Sequence, residues 1–329
     1  MSDLPTQIGY HLSCEEHGPD RLVEWGRRAE EAGFDFITIS DHYHPWTHAQ
    51  GQSPFVWSVL GALAQVTERV EIGTAVTCPM MRIHPAVIAQ AAATTACMLP
   101  GRFFLGVGTG EALNEHILGD RWPSSGVRRD MLEEAVAVIR LLWEGGSQSH
   151  FGRHYTVEQA AVFTLPDDLP PIIVSGFGTH ATRLAARIGD GYMNTAPDAD
   201  AAALFRAEGG TGPCYGKLDV CLADSEAEAR RIALRTWPTS AIQGEVMQIL
   251  PLPAHFEQAT ARVTEEQVAE SIVCDQDIQV HVDRLREYAS AGYDRVVVQQ
   301  AGDDQWRLLD AYRHEVLPEL AHASRAGSA

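Results

Sequence analysis

No Cys-x-x-Cys pair occurs in this sequence, although it holds six cysteines. Cys14, Cys78, Cys97, Cys214, Cys221 and Cys274 are scattered, so neither a zinc knuckle nor a dithiol redox centre is read from them. Basic clusters are missing too. The longest are the pairs Arg27-Arg28, Arg128-Arg129 and Arg230-Arg231, each inside a helical pattern where a solvated face accounts for it. Against a formal net charge of −19 such pairs make no footprint for a polyanion, so neither nucleic acid nor an anionic membrane is expected as a partner. No apolar run approaches the ~20 residues of a membrane helix. The start, MSDLPTQIGYHLS, has neither a basic nor an apolar segment of the kind a signal peptide carries. A soluble, cytoplasmic protein is the expectation.

What is present is core material. Hydrophobic residues make up 45% of the chain and charged residues 21%, which suits a large packed interior. Short β-branched or apolar runs recur at 8–12, 34–39, 70–76, 102–108, 171–176, 191–195, 217–223 and 294–300. Between them lie helical patterns at 20–32, 54–66, 85–98, 131–143, 179–188, 225–236, 280–289 and 305–317. In 131–143, Leu132, Ala135, Val136, Ile139, Leu142 and Trp143 fall at helical spacing. Eight strands, each followed by a helix, is the count of a (β/α)8 TIM barrel, and 1–329 reads as one such domain. A doubly wound sheet is the competing arrangement. Two stretches break the rhythm: 145–170 reads as a small hairpin, and 238–277 as an insertion that shapes a substrate pocket.

Barrel chemistry lies at the C-terminal ends of the strands. Those ends carry His11, Ser13 and Glu15; then Asp41, His42, His44 and Trp46; then Ala75, Val76 and Thr77; then Gly108, Thr109, Gly110, Glu111 and Asn114; then Ser175, Gly176 and Gly178; then Asn194 and Thr195. The stretch SDHYHPW (40–46) has three readings. His42, His44 and His48 are possible metal ligands, but the nearby acids do not complete a ligand set, and no metal is expected. Asp41 as a turn cap with His42 merely hydrogen-bonded is the plain structural reading. The catalytic reading fits best: a strand-end histidine beside the Asp41 carboxylate, which can orient it, with an aromatic wall at Trp46. GVGTGE (106–111) has glycines that let backbone approach a flat ligand or a phosphate, a weak signal alone. GFGTHA (176–181) matches a nicotinamide dinucleotide fingerprint, but falls mid-chain after four βα units, whereas such a fingerprint opens its own domain. Backbone N–H groups at this helix start suit an anion in either case.

Taken together, SDHYHPW, IGTAVTCP, HPAVIAQAAAT, GRFFLGVGTGEALNE and AARIGDGY resemble the bacterial luciferase-like barrel superfamily, and within it the F420-dependent glucose-6-phosphate dehydrogenase group. The resemblance runs from about residue 6 to 195 and returns near 279–320. It implies coenzyme F420, a deazaflavin, as cofactor, with hydride exchanged at ring carbon 5. It implies His42 as the base on the substrate hydroxyl, Trp46 against the reacting centre, Glu111 as the acid near ring N1 and Glu15 as a further pocket carboxylate. It places Asp41, Ala75, Val76, Thr77, Gly108, Thr109, Gly110 and Asn114 by the ring, with a non-proline cis peptide in the 75–77 segment, and Ser175, Gly176 and Phe177 at the tail phosphate. A homodimer is also implied, the apolar, small-residue patterns 54–66 and 85–98 being either buried or an interface.

The chain departs from that group where its phosphate-binding lysines stand. Here Asp198 and, less securely aligned, Glu270 occupy those places, and a carboxylate there works against a phosphate dianion by several kcal/mol. The expected substrate is therefore an unphosphorylated hydroxyl or carbonyl compound: a neutral alcohol, a sugar or a natural-product intermediate. The alternatives are a reductase of an enone or imine using the reduced deazaflavin, a flavin mononucleotide monooxygenase on the same barrel, and a non-catalytic cofactor-binding protein.

Overall fold

In a computed structural model, residues 7–320 are described. Ten strands occur among them: β1 (Gln7–Leu12), β2 (Phe36–Ile39), β3 (Glu71–Thr74), β4 (Phe103–Val107), β5 (Gln148–Phe151), β6 (Thr156–Ala160), β7 (Ile172–Ser175), β8 (Gly191–Met193), β9 (Cys214–Val220) and β10 (Arg295–Gln300). Eight close into a parallel barrel in the order β1-β10-β9-β8-β7-β4-β3-β2, while β5 and β6 form a separate antiparallel hairpin. The closed barrel displaces the doubly wound alternative.

Strand alternation sorts the chain into two cores. Outward residues such as Tyr10, Ile37, Leu105 and Val298 pack under the helices. Inward residues Phe36, Phe104, Ile173, Met193, Tyr215 and Val297 fill the lumen. Room for the rings comes from glycine opposite them. Gly9 pairs in register with Phe36 and Gly73 with Phe104, and a Cβ on either glycine would lie 2.5 Å or 2.2 Å from the facing ring. The filled lumen leaves the strand C-terminal ends as the floor of any site. Tyr215 meets Phe36 edge-on at 5.6 Å, so burial of three aromatic side chains, worth ~2–3 kcal/mol each, is concentrated beneath that floor.

The helices follow their local signals. Pro19–Ala32 begins on proline and ends at Gly33, whose φ of 96° is the left-handed cap that glycine tolerates best. Pro85–Met98 has the expected bounds and buries Ile88, Ala89, Ala92, Ala93 and Ala96. Several boundaries move. Pro54 lies upstream of its helix, which spans Val56–Val66. The helix expected from 131 begins at Ser125. Strand β9 starts at Cys214 and ends at Val220, earlier than its apolar run suggests. Asp198 caps a helix, Ala199–Ala207, by accepting the Ala201 N–H at 3.0 Å. The 238–277 insertion carries helices Val246–Ile249, Pro253–Thr260 and Glu265–Ala269.

Candidate active site

The segment after β2 delivers SDHYHPW to the barrel mouth. Its residues alternate in direction, and this corrects the expected partnership of Asp41 with His42. Asp41 turns down into the protein, where the Thr77 hydroxyl donates to Oδ2 at 2.8 Å and Arg82 Nη2 to Oδ1 at 2.8 Å. Arg82 also holds Glu115, with Nε 3.4 Å from Oε1 and its backbone N–H 2.8 Å from Oε2. All three side chains are nearly inaccessible. Two buried carboxylates on one guanidinium form an anchor under the site, and removing the cation would strand both.

His42 instead faces Glu15, from the β1 end, with Nε2 3.3 Å from Oε1. Glu15 is buried and receives the Ser40 hydroxyl at 2.6 Å and the Ser13 hydroxyl at 3.0 Å on its other oxygen. Burial alone would raise its pKa; the His42 imidazole and the Ser40 hydroxyl outweigh that and hold it below the usual carboxylate range. The other ring nitrogen, His42 Nδ1, lies 3.1 Å from the His44 carbonyl and 3.2 Å from Asn114 Nδ2. Trp46 stands 5.0 Å from the His42 ring, and Phe256 of the insertion meets it edge-on at 5.2 Å. Glu257 accepts from the His48 backbone at 2.9 Å, so the insertion does pack on the mouth.

Asn114 ties the halves together. Its Oδ1 accepts the Tyr43 N–H at 2.9 Å and the His44 N–H at 3.2 Å, while Nδ2 reaches Glu111 Oε2 at 3.4 Å as well as His42. Burial lifts the Glu111 pKa above the ordinary carboxyl range, against the pull of His42 and of the Asn114 amide. Two carboxyls therefore bracket one imidazole with their proton affinities pushed apart, the environment that separates an acid from a base.

The wall beside this group is β3 and β4. The Ala75–Val76 peptide is cis. Thr77 bridges to Val107 and gives its hydroxyl to Asp41, so its side chain braces the wall. The glycines of GVGTGE are closely packed against their neighbours. A Cβ on Gly106 would collide with the Thr74 carbonyl, one on Gly108 with Val76, and one on Gly110 (φ 64°) with Cys78. Thr109, between them, is partly exposed. Gly176 is likewise filled by Ala181, but Gly178 (φ 74°) faces open space. Phe177 is exposed, and the helix it precedes, Gly178–Ile188, has no side-chain cap on its first N–H groups. That end suits a phosphate. Ser175 and Phe177 stand at the β7 end, beyond β3 and β4 from His42. No cluster of metal-ligand side chains occurs among the described residues.

A sequence model of the luciferase-like monooxygenase family matches residues 3–295. The chain belongs to that family. The F420-dependent glucose-6-phosphate dehydrogenase of Microbacterium testaceum is 36% identical over 96% of this chain and 98% of its own length, and that of Nakamurella multipartita is 36% identical over 97% and 98%. Among solved structures, an F420-dependent secondary alcohol dehydrogenase bound to an F420-acetone adduct superposes with a TM-score of 0.89 at 32% identity, covering 96% of this chain and 99% of that one. The likeness thus spans nearly the whole chain, including the stretch after residue 195 where the quoted motifs thin out.

Sequence reasoning missed Arg82, Glu115 and Ser40. Their partners lie 33, 41 and 25 residues away, so no local spacing signals them.

Proposed function

We propose that the chain is an F420-dependent oxidoreductase that moves a hydride between the deazaflavin and an unphosphorylated hydroxyl or carbonyl substrate. The observation that carries this is the Glu15–His42–Asn114–Glu111 array, with one carboxyl held ionised and the other favouring its proton on either side of an imidazole. The relatives named for F420 share this chain over nearly its full length.

The residues present fit the cofactor. The bare, open helix start at Gly178 offers N–H donors to its phosphate, and the 75–77 segment offers a wall to its ring. When bound, the deazaflavin supplies a ring carbon that accepts or returns hydride. The protein supplies the protons. Loss of hydride from a C–H needs the attached O–H proton to leave, and His42 is the base at hand. Glu15 fixes the imidazole through Nε2 and balances the charge it gains. Glu111, whose pKa burial raises, is the second carboxyl beside a site that becomes more negative. Asp41, pinned by Arg82, keeps the His42 segment on the barrel rim. Trp46 and Phe256 exclude water from one side.

Against a phosphorylated substrate stand two facts. Asp198 spends its carboxylate on a helix cap, and the one lysine of the chain, Lys217, is paired with Asp219 at 2.6 Å. Homodimer formation belongs to this reading, since Val87 and Met98 on the Pro85–Met98 helix stay exposed. A cytoplasmic location agrees with the absence, among the described residues, of any helix long and apolar enough to cross a membrane. The test is turnover of F420 absorbance with secondary alcohols, free sugars and glucose 6-phosphate in parallel. An unphosphorylated compound should give the highest kcat/KM. Efficient, saturable turnover of glucose 6-phosphate overturns the substrate assignment.

A further inference from the structure

The lumen floor holds polar groups that the proton chemistry above does not use. Strand alternation from Tyr215 and Val297, both in the lumen core, turns Lys217, Asp219 and Gln299 inward as well. Gln299 pairs in register with Asp219 across the β9–β10 seam, and His11 comes from β1 on the other flank of β10. Gln299 is 2% exposed, and its Oε1 has no hydrogen-bond partner among the described residues. A buried amide oxygen without a partner is costly, and among the buried side-chain atoms left without one Gln299 Oε1 belongs to an inward-facing barrel residue near the His42 group. The neighbouring pair keeps contact with solvent although it points into the barrel: the Lys217 and Asp219 side chains are 20% and 29% exposed. Solvent therefore reaches Lys217 and Asp219, the latter in register beside Gln299, at this wall. The Trp237 ring closes one side, 5.6 Å from Lys217 Nζ.

The opposite side leads to the catalytic group. His11 Nδ1 lies 2.8 Å from the Thr38 hydroxyl, and Ser40, two residues further along the same chain direction, holds Glu15. Two residues of strand are about 6–7 Å. Burial, with Lys217 nearby, lowers the His11 pKa to about 3, so this imidazole is neutral at physiological pH and its Nε2 offers an uncharged contact.

Resting on the reading above, we propose that Gln299, Asp219 and His11 form a subsite that binds a second hydroxyl of the substrate, one ring-width from the carbon that reacts at His42. The match is chemical. Gln299 Oε1 and the Asp219 carboxylate accept, while Lys217 and His11 can donate, and a hydroxyl does both. A lone alcohol leaves the Gln299 oxygen unpaired; a diol or polyol satisfies it.

The test compares cyclohexanol with cyclohexane-1,4-diol as reductants of F420, in wild type, Gln299→Leu and Gln299→Glu. Wild type should prefer the diol in kcat/KM. In Gln299→Leu the diol-to-monool ratio should fall about five- to tenfold, mainly through KM. Gln299→Glu keeps an acceptor and should keep most of the preference, which separates recognition from a folding defect. Deazaflavin affinity is read by fluorescence in each variant. A ratio unchanged in Gln299→Leu overturns the subsite, as does a loss confined to deazaflavin affinity, which would hand Gln299 to the cofactor. If wild type reduces F420 with neither alcohol nor any other hydroxyl compound, the oxidoreductase reading falls first and the subsite with it.

Discussion

Glu15→Gln removes one charge and little else. The carboxylate now takes three contacts: Ser40 at 2.6 Å, Ser13 at 3.0 Å and His42 Nε2 at 3.3 Å. The amide has one acceptor oxygen, which the two serine hydroxyls can still share, so the loop should stay in place. What is lost is the negative partner of the imidazole at the moment His42 holds the substrate proton. A hydrogen bond to a charged group contributes ~1.5–3 kcal/mol, so kcat should drop roughly 10- to 150-fold. Because Glu15 meets His42 and not the 75–77 wall, deazaflavin affinity should change less than about threefold. The assay is F420 absorbance under saturating alcohol, with affinity from fluorescence titration of the same preparation. A kcat within threefold of wild type would show that His42 needs no carboxylate partner, and the proton path drawn here would be wrong.

Other variants probe other parts. His42→Ala should lower kcat by about 10²–10⁴ while the protein still binds deazaflavin; normal turnover would remove His42 from the reaction. Arg82→Met leaves Asp41 and Glu115 buried without their cation, and urea unfolding should show a loss of about 3–5 kcal/mol; a loss below 1 kcal/mol would contradict the anchor. Glu16, beside the site, accepts from Trp237 Nε1 at 2.6 Å and from the Gly302 N–H at 2.8 Å, and burial raises its pKa to about 7 from 4.5. A raised folded-state pKa gives stability that is complete below pH 4.5 and is lost as pH rises through 7. Relative to Glu16→Gln, wild type should therefore lose up to about 3 kcal/mol over that window, and parallel Tm-against-pH curves would refute this. Glu111→Gln should lower kcat yet stabilise the fold at pH 8, since the folded site favours the protonated carboxyl; destabilisation there would contradict the assignment.

The barrel was legible because its parallel strands read as short β-branched or apolar runs, eight of which recur between helical patterns. So was the concentration of polar side chains at their C-terminal ends, because parallel strands place every end on one face. His42, Glu15, Glu111 and Asn114 do converge. Orientation was not legible. Asp41 and His42 are neighbours in sequence, yet backbone alternation sends one to Arg82 and the other to Glu15. Glycine was read for ligand approach, but at Gly106 and Gly108 close packing of β4 on the 74–76 segment sets the need. The helix Ala199–Ala207 escaped because Asp198 drew attention as a lost lysine rather than as an N-cap. The unpartnered Gln299 oxygen is invisible in sequence, since only the closed barrel shows that no donor among the described residues reaches it.

The most direct test of the central claim is a fluorescence titration of the purified protein with oxidised F420, beside flavin mononucleotide and the nicotinamide dinucleotides. The account predicts selective micromolar or tighter binding of F420. Selective binding of flavin mononucleotide would contradict it in favour of a monooxygenase on the same barrel, and binding of a nicotinamide cofactor alone would mean that GFGTHA, not the His42 array, marks the working site.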